Sequence, residues 1–215
     1  MRRKMLLGLL ALALPTVVFA DSVTVIPVDN PSFETLPSGG LDVDCGHGCH
    51  FSRAAIPGWS GGDGQLRPSV GHDGLFDTFA PRDGRTSAYS NGGAISQQVG
   101  ATVQDGLIYT LTLEIGRRND VAFAGSADLL VGGRRFMATG ATPRPGHWST
   151  FTATFVGTSA NAGDSITIQL NSSGVQGNFD SVKLTASPVP EPGTLSMLGV
   201  GLIGLAGLVR RRFKL

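Results

Sequence analysis

Apolar and polar residues alternate with a period of two along the second half of this chain. Between Leu107 and Ile115, the side chains of Tyr109, Leu111, Leu113 and Ile115 alternate with Thr110, Thr112 and Glu114, which predicts a strand with one buried face. Ser149 to Phe155 sets Phe151, Ala153 and Phe155 against Thr150, Thr152 and Thr154, and Ser165 to Leu170 repeats the pattern with Ile166, Ile168 and Leu170. Fainter alternation predicts strands at Ser22 to Val28, Ala94 to Val99, Ala127 to Val131, Arg134 to Ala138 and Phe179 to Thr185. No helical period interrupts them, and Gly-Gly, Asp-Gly and Pro-Gly pairs supply the turns. The expectation is an all-β domain, an antiparallel β-sandwich. The stretch from Pro37 to Gly93 reads instead as long polar loops, the usual carriers of binding function on a rigid sandwich.

The two ends follow other rules. Arg2, Arg3 and Lys4 precede an apolar core from Met5 to Leu14 and a small-x-small site at Val18-Phe19-Ala20, the layout of a signal peptide over residues 1–20 handed to the secretory translocon. At the other end Val189, Pro190, Glu191 and Pro192 lead into an apolar run from Leu195 to Val209, closed by Arg210, Arg211 and Arg212. That order of motif, hydrophobic stretch and basic cluster resembles the PEP-CTERM sorting signal, which implies an exosortase-type processing enzyme as partner. The run from Thr194 to Val209 would span roughly 24 Å as a helix, short of the roughly 30 Å bilayer core. A processed signal and a permanent single-span anchor are both open on this pattern, and both require the membrane. The predicted organisation is a signal helix at residues 1–20, a sandwich domain at 21–187 and a sorting segment at 188–215 with a hydrophobic transmembrane helix over 194–209. The protein is then exported to the cell envelope, surface or extracellular matrix, with transient anchoring in the inner membrane.

Composition narrows the picture. Glycine accounts for 31 of 215 residues and charged residues for 15%, with Asp outnumbering Glu, as in short strands joined by turns. All 16 acidic residues and 10 of the 17 basic ones lie between Lys4 and Arg210, so that stretch carries 10 minus 16, or −6. An acidic body excludes a nucleic-acid partner, whose affinity rests on phosphate neutralisation.

A second resemblance rests on short motifs in order: Asn30-Pro31-Ser32-Phe33-Glu34, Pro57-Gly58-Trp59, Ala88-Tyr89-Ser90-Asn91, Tyr109-Thr110-Leu111-Thr112 and Asn178-Phe179-Asp180-Ser181-Val182. The series is similar to the galactose-binding-like jelly roll of bacterial carbohydrate-binding modules. The resemblance implies a structural calcium held by Glu34 and Asp180, hard oxygen ligands of the kind Ca²⁺ takes. Asp180 has the parity of Val182 and Leu184 and is expected to face the sandwich interior. The alternative is a solvated Glu34 and an Asp180 that caps a turn. The likeness also implies weak association with exopolysaccharide, with Trp59, Tyr89 and Trp148 as ring platforms and Asn91, Gln97 or Arg85 at their edges. Against this stands a packing role for both tryptophans.

Cys45-Gly46-His47-Gly48-Cys49-His50 is the densest chemical cluster. In an exported protein Cys45 and Cys49 most simply form a disulfide; a metal site and free thiols are the other readings. Asp73, Asp77 and Asp83 could be imagined as the acid/base pair of a glycoside hydrolase, but turn formation is the commoner use of loop aspartates. With no nucleophile elbow, paired zinc-ligand motif or phosphate loop, the expectation is a non-enzymatic protein, binding polysaccharide or acting as a structural or adhesive surface protein.

Overall fold

The computed structural model describes residues 22–68, 80–190, 199 and 201–204. Fourteen strands form among them: β1 (Thr24–Ile26), β2 (Val43–Gly46), β3 (Cys49–Ser52), β4 (Ser60–Gly61), β5 (Gly64–Arg67), β6 (Ser87–Ser90), β7 (Gly93–Thr102), β8 (Leu107–Arg117), β9 (Gly125–Val131), β10 (Arg134–Met137), β11 (Thr139–Gly140), β12 (His147–Val156), β13 (Ser165–Ser172) and β14 (Gly177–Pro188). They make two antiparallel sheets. The first runs β11-β12-β8-β14-β6-β5-β3-β2, with β1 also paired to β14; the second runs β10-β9-β13-β7-β4.

The strongest alternations make the core. Leu111, Leu113 and Ile115 of β8, Phe151 and Ala153 of β12, Leu129 of β9 and Ile166, Ile168 and Leu170 of β13 belong to one buried cluster. Burying such side chains stabilises the fold by about 1.5–3 kcal/mol each, so two apolar faces pressed together outweigh the weak preferences of individual strands. The all-β, antiparallel class is therefore as the alternation predicts.

Three expectations need correcting. The stretch from Pro37 to Gly93 holds five strands, β2 to β6, four of which extend the first sheet. They are two to four residues long, too short for alternation to register. Asp180 does not share a face with Val182 and Leu184. The β14–β8 register slips between Asp180 and Lys183, and Ser181 has a left-handed φ of 52°. This bulge inverts the parity: Phe179 and Val182 both pack in the core, so Asp180 lies on the opposite face. Lastly, the signal helix at 1–20 and most of the helix expected over 194–209 fall outside the described residues. Helical backbone is described at residues 199 and 201–204, and no helix among the described residues is long and apolar enough to cross a membrane.

Candidate functional site on the outer face of the first sheet

The face of the first sheet turned away from the sandwich core carries its own apolar cluster. Cys49, Leu66 and Tyr89 are buried together with Phe51 packed against them, separate from the main core. Register explains the grouping. Phe51 pairs with Leu66 and Leu66 with Ser87, while Ala88, between Ser87 and Tyr89, belongs to the main core. Phe51 and Tyr89 meet edge to face, with ring centroids 6.2 Å apart. Gly64 allows the close approach of β5 to β3, since a Cβ there would lie 1.7 Å from the Ser52 carbonyl oxygen.

Around this floor is a cavity of about 310 Å³ lined by Cys45, Phe51, Arg53, Leu66, Tyr89, Asn91, Arg118 and Gln176. Its volume lies at the lower end of the range of small-molecule sites, and an apolar floor meets polar walls from Arg53, Asn91, Arg118 and Gln176. The Arg53 guanidinium lies 5.5 Å from the centre of the Phe51 ring. Tyr89 donates to the Ser52 carbonyl at 3.2 Å, and burial, with the Asp63 carboxylate nearby, pushes its hydroxyl above the usual tyrosine value. The Asn91 backbone N–H donates to the Asp63 carboxylate, tying the turn before β5 to the turn after β6. Arg118 makes a two-pronged pair with Asp120, at 2.9 and 2.7 Å.

The Cys45–Cys49 disulfide closes the β2–β3 hairpin with Cα atoms 5.1 Å apart. Between the cysteines Gly46, His47 and Gly48 all have left-handed φ, of 84°, 53° and 81°. Glycine adopts this readily and histidine at a cost. The bridge thus holds a strained turn whose Cys45 lines the cavity and whose Cys49 lies beneath it.

One cross-strand row crosses the same face. Tyr89 pairs with Asn178, Asn178 with Gly116 and Gly116 with Trp148. Tyr89, Asn91 and Trp148, singled out in the sequence, therefore gather on one side of the sheet. Trp148 is half-buried, with its indole nitrogen donating 2.7 Å to the Ala80 carbonyl. Trp59 does not join them. It is 6% exposed in the core, its ring centroid 5.3 Å from that of Phe33, and offers no platform to a ligand. Gln97 is likewise a brace, bonded through both ends of its amide to the backbone of Asp29 and through Nε2 to Gly58. Phe51, Leu66, Arg53 and Gln176 went unremarked in the sequence. Asn178 appeared there only as the first residue of the closing motif.

Glu34 and Asp180 act on one loop beside this row. Asp180 Oδ2 accepts the amides of Arg82 and Asp83 at 2.7 and 2.9 Å, and Oδ1 accepts that of Ser181. Glu34 Oε1 accepts the amides of Arg85 and Thr86 and the Thr86 hydroxyl. Asp180 is fully buried, and burial pushes its carboxyl from 3.8 up to about 7 against the pull of those amides. Calcium does not fit this arrangement. Both Asp180 oxygens and one of Glu34 face positively polarised hydrogens, and among the described residues no three His, Cys, Asp or Glu side chains gather as a cation site. Asp73 and Asp77 lie outside the described residues, as do Glu191 and Pro192 of the sorting motif; Asp83 accepts the Ser32 hydroxyl.

Comparison with known proteins adds two assignments. Residues 188–212 match the PEP-CTERM protein-sorting motif, so the protein is exported and sorted to the cell surface. Residues 24–185 match the model of the HpiC1 cyclase family. Among solved structures, a Stig cyclase from Fischerella sp. TAU in complex with (3Z)-3-(1-methyl-2-pyrrolidinylidene)-3H-indole aligns with 79% of this chain and 100% of its own, at 23% identity and a TM-score of 0.64. A cyclase from the same source, bound to 4-(1H-indol-3-yl)butan-2-one, aligns with 78% of this chain and 99% of its own at 22% identity and a TM-score of 0.62. A CBM22-1 xylan-binding domain from Paenibacillus barcinonensis Xyn10C aligns with 81% of this chain and 100% of its own, at 10% identity and a TM-score of 0.44. At these identities the likeness to the two cyclase structures speaks for the fold alone, and the likeness to the xylan-binding domain carries no argument. No curated protein matches the sequence. The family match overturns the expectation of a non-enzymatic protein, which rested on the absence of familiar catalytic motifs. The chain belongs to the HpiC1-like cyclase family.

Proposed function

We propose that the exported domain is a cyclase that holds a small, ring-bearing, largely apolar substrate on the outer face of the first sheet and promotes ring closure within it. The observation that carries this reading is the cavity over Phe51, Leu66 and Tyr89, in a chain whose family is one of cyclases. The two related structures hold indole compounds, and an indole-type ring suits an aromatic floor that offers edge-to-face and stacked contacts. Ring closure needs the two ends of one molecule brought together, and a shaped cavity supplies that positioning before reaction. Tyr89 supplies a hydroxyl that stays protonated through the neutral range. A cavity of about 310 Å³ suits a molecule of a few rings better than a polysaccharide chain. The exopolysaccharide association inferred from the sequence is therefore set behind the small-molecule reading.

The test is turnover. The purified exported protein, given indoles that bear an unsaturated side chain, should form cyclised isomers of unchanged mass, separable by chromatography. Tyr89→Ala should abolish them. Failure to bind any compound of the class would end this reading. We also propose that an exosortase cuts the chain after transient anchoring in the inner membrane, near Pro190 to Gly193. A surface form whose intact mass still includes Leu195 to Leu215 would contradict the cut.

A further inference from the structure

Exposed apolar side chains are unevenly spread over the domain. Among the described residues between Ser22 and Pro190 the large ones are Val23, Val25, Met137, Val156, Val175 and Val189. Val23, Val25, Val156 and Val189 meet at one corner of the first sheet, where β1 and β8 begin and β12 and β14 end. Val25 pairs with Thr185, while Val156 pairs with Ile108 and Ile108 with Ser187. Paired residues project from the same face. Thr185 and Ser187 are alternate residues of β14, so Val25, Ile108 and Val156 share the face turned away from the core. Val23 precedes Val25 by two residues, and the Val189 amide is held at the corner by a 2.8 Å bond to the Gly106 carbonyl. Single exposed valines are ordinary, but a contiguous group marks a surface that something covers.

The point at which the chain leaves the domain identifies the cover. Val189 immediately precedes Pro190, and the apolar run of the sorting segment starts at Leu195. From Val189 to Leu195 an extended chain spans at most about 20 Å, so a bilayer holding that run lies close to this corner. Lys183 pairs with Thr112 on the same face and is exposed beside the patch. A lysine there lays its stem on apolar surface while its ammonium reaches lipid phosphate. We infer that this corner is a membrane-contact surface, with Val23, Val25, Ile108 and Val156 seated among the headgroups and upper acyl chains of the phospholipid bilayer that holds the sorting segment. The inference rests on the transient anchoring proposed above. A few valines suffice, because a short tether presents the surface at an effective concentration in roughly the millimolar range. Gly116, in the row that joins Tyr89 to Trp148, lies about 26 Å farther along β8 from Ile108, so patch and cavity are separate parts of one face.

The experiment places the isotopically labelled full-length protein in phosphatidylcholine nanodiscs, with gadolinium chelated to a fraction of the headgroups. Gly132 and Ser165, bonded to each other in the second sheet, serve as the control. They lie at the same end of the sandwich, since Ser165 pairs with Thr102 and the Thr102 carbonyl accepts the Tyr109 hydroxyl. With one copy in each disc, the amide signals of Val25, Ile108 and Val156 should broaden more than those of Gly132 and Ser165. Val25→Asp combined with Val156→Asp, both at exposed positions, should even out the broadening while the chain stays in the disc by its sorting segment. Equal broadening of the two groups in the native protein would mean a domain hanging freely from its tail; that overturns the contact and leaves the anchoring intact. A chain that does not stay with the discs would end the anchoring reading and the inference with it. Preferential broadening that appears only in discs holding two copies would assign the patch to a second copy of the chain and overturn the membrane contact.

Discussion

Tyr89 and Trp148 stand at the two ends of one cross-strand row, with Asn178 and Gly116 between them. At about 4.8 Å per strand, three steps set the two aromatic residues roughly 14 Å apart, the span of a few fused or linked rings. Tyr89 packs on Phe51 in the cavity floor, so Tyr89→Ala should weaken binding of an indole-type ligand by about tenfold or more. Tyr89→Phe, which keeps the ring and loses the bond to Ser52, should weaken it less. Calorimetric titration of both variants checks the order.

Asp180 should make stability depend on pH in a definite direction. Its carboxyl titrates near 7 in the folded protein against 3.8 ordinarily, so folding retains a proton that the unfolded chain releases in that window. Its contribution to stability is therefore greatest below pH 3.8 and is lost as pH rises to about 7. The slope from this one group is at most about 1.4 kcal/mol per pH unit. Asp180→Asn should show no such fall, and should be about 1–3 kcal/mol less stable at low pH, because its NH₂ end must face a backbone N–H. Urea unfolding of both proteins across this window measures the difference; parallel curves would rule out a titrating Asp180.

Calcium should leave the fold unchanged. The amides of Arg82, Asp83 and Ser181 engage both Asp180 oxygens, and those of Arg85 and Thr86 engage one oxygen of Glu34. Melting in calcium and in chelator should therefore coincide. A cation bound only by the native state at a hundredfold excess over its dissociation constant adds about 2.7 kcal/mol, so a calcium-dependent rise in melting temperature lost in Asp180→Ala would instead establish the site that the jelly-roll resemblance implies.

Reduction should affect the cavity more than the fold. A bridge closing so short a loop adds on the order of 2 kcal/mol in the loop-closure picture, but it holds the left-handed turn at His47 and the hairpin that carries Phe51. Treatment with a reductant, or Cys45→Ser with Cys49→Ser, should weaken indole binding severalfold while the domain stays folded by circular dichroism. Undiminished binding by the reduced protein would show that the cavity wall stands without the bridge.

The core was legible because its strands are long and alternate: β8, β12 and β13 contain the predicted segments Leu107–Ile115, Ser149–Phe155 and Ser165–Leu170. The site was not, for two physical reasons. Its floor is carried by β3, β5 and β6, four residues each, in which one apolar residue such as Phe51 or Leu66 cannot display a period. The bulge at Ser181 also breaks the parity on which the placement of Asp180 depended. Tyr89, Asn91 and Trp148 could be named as candidates from residue type, whereas Trp59, of the same type, belongs to the core. Aromatic identity alone does not separate a ligand platform from packing.

A small ring-bearing ligand should sit over the outer face of the first sheet. Chemical-shift mapping with indole on the labelled full-length protein asks this directly. The predicted result is a set of saturable shifts at Phe51, Leu66, Tyr89, Asn91 and Gln176, the residues around the outer-face cavity. Shifts confined to the second sheet, around Asp128 and Asn171, or no saturable shifts at millimolar indole, would contradict it.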